Sequence, residues 1–340
     1  MITTLTGALG LSAHDSLFWI PLAFALLLLI TVIALVLLDG IDIGVGCLLL
    51  LAPTALRKTM MQRLNPWRDA NELWLFLVIG LFLAVFPGAW TEVFTRLYLP
   101  LSLLSLGVVL RTISFEFRVR APDTLQALFI RTFSWGCWLT AIAHGLLLSR
   151  IVSSYQMGSG YVFLSLFLAA CAVAGYALLG ASALTMQTTD GLQQQAIQWA
   201  KGATRWVAAG LVCVSVSLAA TNTGVFWKWM DELGGQTFAL LWVGLLISFV
   251  MLEILLSRLQ RQQTATRILP FLLASLIMTL GLVGLAYSFF PYIVLDTITL
   301  WDAAVSPPML RFALGGSLII MPVALGFNLW AYRGFFRQIH

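Results

Sequence analysis

Residues 18–50 read FWIPLAFALLLLITVIALVLLDGIDIGVGCLLL, with no charge other than Asp39 and Asp42. A run of about 20 apolar residues already crosses a hydrocarbon core of about 30 Å. The segment is therefore predicted to be a membrane-spanning helix, long enough to tilt or to project past the bilayer on the inner side. Similar runs follow at 73–95, 98–118, 126–152, 160–185, 203–225, 236–257, 268–290 and 311–333. The expected fold class is an all-α integral membrane protein with about nine transmembrane helices, one polytopic membrane domain over residues 1–340. Composition agrees: of 340 residues, 60% are hydrophobic and 10% charged, where soluble domains hold about 25% charged residues.

The net charge is +5 and the isoelectric point about 9.2. In a chain this apolar, the basic excess reflects orientation in the membrane rather than nucleic-acid binding. Lys and Arg gather at one set of helix ends, from Arg57, Lys58 and Arg63 through Arg258, Arg261 and Arg267 to Arg333 and Arg337. The opposite ends carry Arg96, Arg150, Lys228 and Arg311. The bias predicts an outer N-terminus and a cytoplasmic C-terminus, which requires an odd number of spans. Met1 to Leu17 lacks Lys and Arg, unlike a secretory signal, so a retained first helix is expected. Cys47, Cys137, Cys171 and Cys213 lie in apolar segments without C-x-x-C spacing and read as small buried hydrophobes.

Carboxylates inside a membrane helix are costly and are functional suspects. Asp39 and Asp42 are three residues apart, so they share a helix face near the cytoplasmic end of the first span. Gly40 and Gly44 form a small-xxx-small pair that lets another helix approach closely. Two readings apply: a hydrated, proton-accessible face against a partner helix, or carboxylates that only satisfy a helix end. The second acidic group lies in Asn65-Pro66-Trp67-Arg68-Asp69-Ala70-Asn71-Glu72-Leu73-Trp74, which opens the second span on the same side. Asp69 with Glu72 reads as a capping box, and both acids suit the helix dipole. With Asp39 and Asp42 they also read as the mouth of a proton path. Arg111, Glu116, Arg118 and Arg120 lie toward the inner end of the third span, where Glu116 and Arg120 have ion-pair spacing and Arg111 is deep enough to need a partner or to snorkel.

Of three histidines, only His144 lies inside a span. Haem needs axial ligands brought together from facing helices, so a haem held by this chain alone is not expected, and His144 reads as a helix–helix hydrogen bonder. No metal site is expected, and no Walker A, H-E-x-x-H or G-x-S-x-G sequence occurs.

The chain resembles subunit II of the cytochrome bd-type quinol oxidases, including the cyanide-insensitive branch, nearly end to end. Asp39 to Gly46 resembles the family's D-G-x-D-x-G-x-G, and Pro66 to Trp74 its P-x-W-D-x-N-x-x-W. Leu110-Arg111 through Phe115-Glu116-Phe117-Arg118 resembles R-x-x-x-F-E-F-R, and Gly175 to Ala181 resembles G-Y-A-L-L-G-A. Pro291-Tyr292-Ile293, Trp301 to Ala304, and Ser306-Pro307-Pro308 through Tyr332-Arg333 resemble the C-terminal third. One departure is Arg68, which stands directly before Asp69 where the family has Trp.

The resemblance implies two four-helix bundles, 18–152 and 160–290, plus a peripheral helix at 311–333. It implies a heterodimer in a bacterial inner membrane with a haem-bearing subunit I, and a small single-helix accessory subunit. The complex would oxidise quinol, reduce oxygen to water and take up cytoplasmic protons without pumping. Haem b and haem d would sit in subunit I; a quinone or membrane lipid is the group this chain would bind. Asp39, Asp69, Asn71, Glu72 and Asp42 would belong to a proton pathway, and Gly40, Gly44, Trp74, Arg111 and Glu116 to the structure or the subunit interface. The rival readings are a proton-coupled secondary transporter, which also carries intramembrane carboxylates, and a scaffold subunit without a proton role.

Overall fold

The computed structural model describes residues 16–64, 68–156, 158–188, 190–261 and 266–339. His14, His340, Pro66, Trp67 and most of the basic-poor N-terminal segment lie outside them. In chain order the helices are α1 Ser16–Ala34, α2 Gly40–Leu51, α3 Thr54–Arg63, α4 Arg68–Val85, α5 Trp90–Arg120, α6 Asp123–Val152 and α7 Ser159–Gln187. They continue with α8 Asp190–Thr221, α9 Thr223–Met230, α10 Glu232–Gln260 and α11 Leu269–Phe289. A two-stranded hairpin, β1 Tyr292–Val294 and β2 Ile298–Thr299, precedes α12 Leu300–Ala303 and α13 Pro307–Ile339. A π-helical turn, Leu35–Asp39, joins α1 to α2 and sets Asp39 at the start of the glycine-rich helix; such turns recur at functional sites.

Among the described residues, eight stretches are long and apolar enough to cross a membrane: Ser16–Leu51, Pro87–Arg120, Thr124–Val152, Ser159–Gln187, Gly191–Thr221, Glu232–Gln260, Leu269–Phe289 and Pro307–Arg333. The expected second span corresponds to α4, whose 18 residues open with Arg68, Asp69 and Glu72 and so fall outside that set. Large apolar side chains point outward, with Phe312 80% and Phe163 73% exposed. On a water-soluble surface such apolar area would be an aggregation hazard; around a multi-pass membrane protein it meets lipid.

The chain divides into two compact units. The first contains residues 1–35, 66–96 and 289–340, and in it α4 packs against α1 and α13. Its helices correct one boundary. The second and third spans were expected to part between 95 and 98, but the break falls at Phe86, where a 3₁₀ turn, Pro87–Ala89, follows the end of α4. Pro87 has no N–H to continue the helix. Gly88 lies so close to the 302–303 backbone that a Cβ there would sit 2.9 Å from the Asp302 carbonyl oxygen. Trp301 stacks on Phe18 at 5.2 Å and donates its indole N–H to the Phe18 carbonyl. Thr299 and Asp302 form a capping box for α12.

The second unit contains residues 36–65 and 97–288. In it α7 packs against α2, α6 and α8 around a core that includes Ile43, Leu48, Phe133, Leu178 and Leu179. The expected span 203–225 ends at Thr221, because Asn222 leaves the helix and its side chain caps α9 by accepting from the Val225 N–H at 2.7 Å. The two contact units and the expected bundles, 18–152 and 160–290, are different divisions of the chain.

Candidate functional site

In the second unit the Asp39 carboxylate meets the Arg111 guanidinium edge to edge. Nη1 donates to Oδ1 at 2.6 Å and Nη2 to Oδ2 at 2.8 Å. Both side chains are at most 2% exposed, and Asp42 is fully buried. A bidentate pair gives the strongest geometry for an Arg–carboxylate contact, and burial makes each charge dependent on the other. Close helix packing brings α5 to this place: Gly107 and Gly136 leave no room for side chains between α5 and α6, and a Cβ on Gly136 would sit 2.9 Å from the Arg111 Cβ.

Gly40 and Gly44 meet a helix of this same chain. A Cβ on Gly44 would overlap the Tyr176 carbonyl oxygen, and one on Gly180 would overlap the Gly44–Val45 backbone. The small-residue face of α2 therefore seats α7. α2 also meets α6, whose Trp138 indole donates to the Cys47 carbonyl at 3.0 Å. The Tyr176 hydroxyl lies 3.1 Å from His144 Nδ1, which makes His144 a helix–helix hydrogen bonder between α6 and α7.

In the first unit the charged group opens α4. Arg68 lies within 3.4 Å of Asp69 Oδ1 and 3.5 Å of Glu72 Oε2. Side-chain exposure is 80% for Asp69, 12% for Glu72 and 2% for Arg68. The guanidinium thus joins a carboxylate on the surface to one that is mostly buried. Arg68 and Asp69 are both helical, so Asp69 lies inside α4 rather than at a cap, and the expected capping box gives way to an Arg68–Glu72 pair at i,i+4 spacing. Asn71 is buried and accepts a hydrogen bond from the Tyr332 hydroxyl at 2.9 Å. Asn328 donates to the Ala70 carbonyl at 2.9 Å, and Trp74 is buried one turn on. Asn328 and Tyr332 were missed in the sequence, although two polar residues four apart in the apolar last helix were a signal for them.

Glu116 is exposed on α5, and Arg118 stacks over the Phe115 ring at 4.9 Å. Glu92 pairs with Arg96 at 2.6 Å. Cys47, Cys137 and Cys171 are buried. No group of three or more His, Cys, Asp or Glu residues with metal-binding geometry occurs among the described residues. His144 is the sole histidine among them, and its Nδ1 faces Tyr176, so they do not supply a histidine pair for haem.

The sequence profile of the family described as cytochrome bd terminal oxidase subunit II matches residues 20–335. The chain is 23% identical to cytochrome bd ubiquinol oxidase subunit 2 of Bacillus subtilis, with 89% of this chain and 91% of the relative covered. It is 23% identical to cytochrome bd-I ubiquinol oxidase subunit 2 of Escherichia coli K12, covering 88% and 90%. Its fold is similar to a chain in the structure of the bd oxidase from Geobacillus thermodenitrificans, with a TM-score of 0.74, 14% identity, and 94% and 98% of the two chains covered.

Proposed function

This chain belongs to the cytochrome bd terminal oxidase subunit II family, and on that premise we propose that it is the haem-free partner of a haem-bearing subunit I, to which it contributes a cytoplasmic proton-uptake path. As a subunit of a quinol oxidase it works in a complex whose cofactors are haems. In this reading the haems b and d, the quinol site and the reduction of oxygen to water belong to subunit I. The membrane is the bacterial inner membrane, with the C-terminus on the cytoplasmic side.

The observation that carries the proton reading is the graded exposure across one arginine. Asp69 is exposed, Glu72 is mostly buried, and Arg68 lies within 3.5 Å of both. A carboxylate at the surface can take protons from solvent, and a second one held beside it can pass them inward. Asp69 is the acceptor from water, Glu72 the inner group, and Asn71 the buried polar neighbour. In the other unit both oxygens of Asp39 are held by Arg111; in this reading Asp39 keeps local polar groups and water ordered, and Asp42, three residues on, belongs to the same pathway. A quinone or lipid, and a single-helix accessory subunit, complete the proposed assembly.

The test is Asp69→Asn in the intact complex. Oxygen reduction is expected to slow while the haem b and haem d absorption of the purified complex stays at its normal level. Unchanged turnover would remove Asp69 from the path and favour a scaffold role. A colourless chain purified alone, from membranes that contain those haems, would favour a proton-coupled transporter instead.

A further inference from the structure

The last helix, α13, brings two polar side chains to the turn that carries the proposed proton-uptake carboxylates. Asn328 and Tyr332 are four residues apart and so share a helix face. Asn328 is 6% exposed and donates to the Ala70 carbonyl at 2.9 Å and to Ala324 of its own helix at 3.4 Å. The Tyr332 hydroxyl donates to Asn71 Oδ1 at 2.9 Å. Ala70 and Asn71 lie between Asp69 and Glu72 in sequence, so the two bonds grip the middle of that turn.

We infer that Tyr332 is a positioning residue for proton uptake: by holding the Asn71 carboxamide, with Asn328 on the neighbouring carbonyl, it fixes the first turn of α4 and with it the placement of Glu72 against Arg68. The inference rests on the proton-uptake reading of Asp69 and Glu72. The two bonds from α13 go to the Ala70 carbonyl and to the Asn71 side chain, and so tie this turn of α4 to the neighbouring helix. The phenol also holds the Asn71 amide at its oxygen. Its oxygen faces Tyr332, so its nitrogen, which can only donate, faces away. Without the phenol the buried carboxamide loses this hold on its oxygen. The Arg68–Glu72 contact, at 3.5 Å, is near the limit of an ion pair, so a small rotation of the turn is enough to break it. Among the described residues the charged groups on α4 are Arg68, Asp69 and Glu72, and Arg333 follows Tyr332 in sequence on α13.

The experiment uses the complete complex with its haem-bearing subunit, and measures quinol-driven oxygen consumption across pH for Tyr332→Phe, Asn328→Leu and Asp69→Asn. Tyr332→Phe is expected to keep its haem spectrum, to lose turnover by about tenfold, the scale of one lost hydrogen bond, and to shift the pH profile. In the double variant with Asn71→Leu the loss should be no greater than in either single variant. A drop in turnover without a shift of profile would mean a structural role only and would overturn the inference. Should Tyr332→Phe fail to assemble, Asn328→Leu decides by the same two readouts. A slowed Asp69→Asn beside an unaltered Tyr332→Phe overturns this inference alone. An unaltered Asp69→Asn overturns the proton-uptake reading and this inference with it.

Discussion

Arg111 and Asp39, 72 residues apart in sequence, lock together at both prongs of the guanidinium, at 2.6 and 2.8 Å. Removing one partner leaves the other as a buried charge without its counter-ion, which costs about 3–5 kcal/mol. Replacing both with apolar groups of similar volume is often neutral. Arg111→Met and Asp39→Leu are each expected to lower the melting temperature and yield of the complex, and the double variant to recover most of the loss. Arg111→Lys should recover little, because an ammonium cannot reproduce the fork. Thermal melts of the four variant complexes beside the wild type check this. A single variant that melts like the wild type would show that the pair does not hold the helices.

The α2–α7 contact gives a sharper steric prediction. At Gly44 the obstacle to a Cβ is the backbone of α7, which cannot swing aside. Gly44→Ala should force the helices apart at about 3 kcal/mol, the upper part of the overpacking range. At Gly40 the nearest atom is the end of the Leu179 side chain at 2.9 Å, so Gly40→Ala should be milder. Gly80→Ala, with nothing within 4 Å of its Cβ, should be near neutral. The expected order of expression and melting temperature is Gly80→Ala, then Gly40→Ala, then Gly44→Ala.

The membrane class was legible because it depends only on the length of apolar runs, as in residues 18–50. Gly40 and Gly44 were legible as a close-packing face for the same local reason, and α7 is the helix they seat. The partner of Arg111 was not legible. Its depth in α5 called for a counter-charge, but sequence spacing reveals pairs three or four apart, and Asp39 lies on another helix. The break at Phe86 was hidden because apolar residues continue on both sides of Pro87 and Gly88. α9 was hidden similarly, since Phe226, Trp227 and Trp229 continue the apolar run past Asn222. The Asn71–Tyr332 bond spans 261 residues, beyond any local pattern.

The Tyr176–His144 bond should matter modestly. Interhelical hydrogen bonds in membranes average about 0.6 kcal/mol and reach about 1.7 kcal/mol. Tyr176→Phe is therefore expected to lower the melting temperature slightly, with haem content unchanged. Loss of haem from that variant would point to a role for His144 beyond helix packing.

Lys228 offers a pH-dependent prediction outside the membrane spans. It sits on α9, where its ammonium donates to the Tyr287 carbonyl and lies 4.5 Å from the centre of the Tyr287 ring. Burial disfavours the charged form and lowers its pKa from 10.5 to about 8. A folded-state value below the unfolded one means that, between those values, the unfolded chain binds more protons. The contribution of Lys228 to stability must therefore rise with pH from about 8 toward 10.5. Below that window the cost of burying the charge is present in full. Lys228→Met removes the titration but keeps most of the apolar stem. Melting temperatures of the wild-type and Lys228→Met complexes, taken from pH 7 to 10 in one detergent, should differ in a pH-dependent way, with the wild type gaining on the variant as pH rises. A constant difference would show that Lys228 keeps an ordinary lysine titration and that α9 leaves it in contact with water.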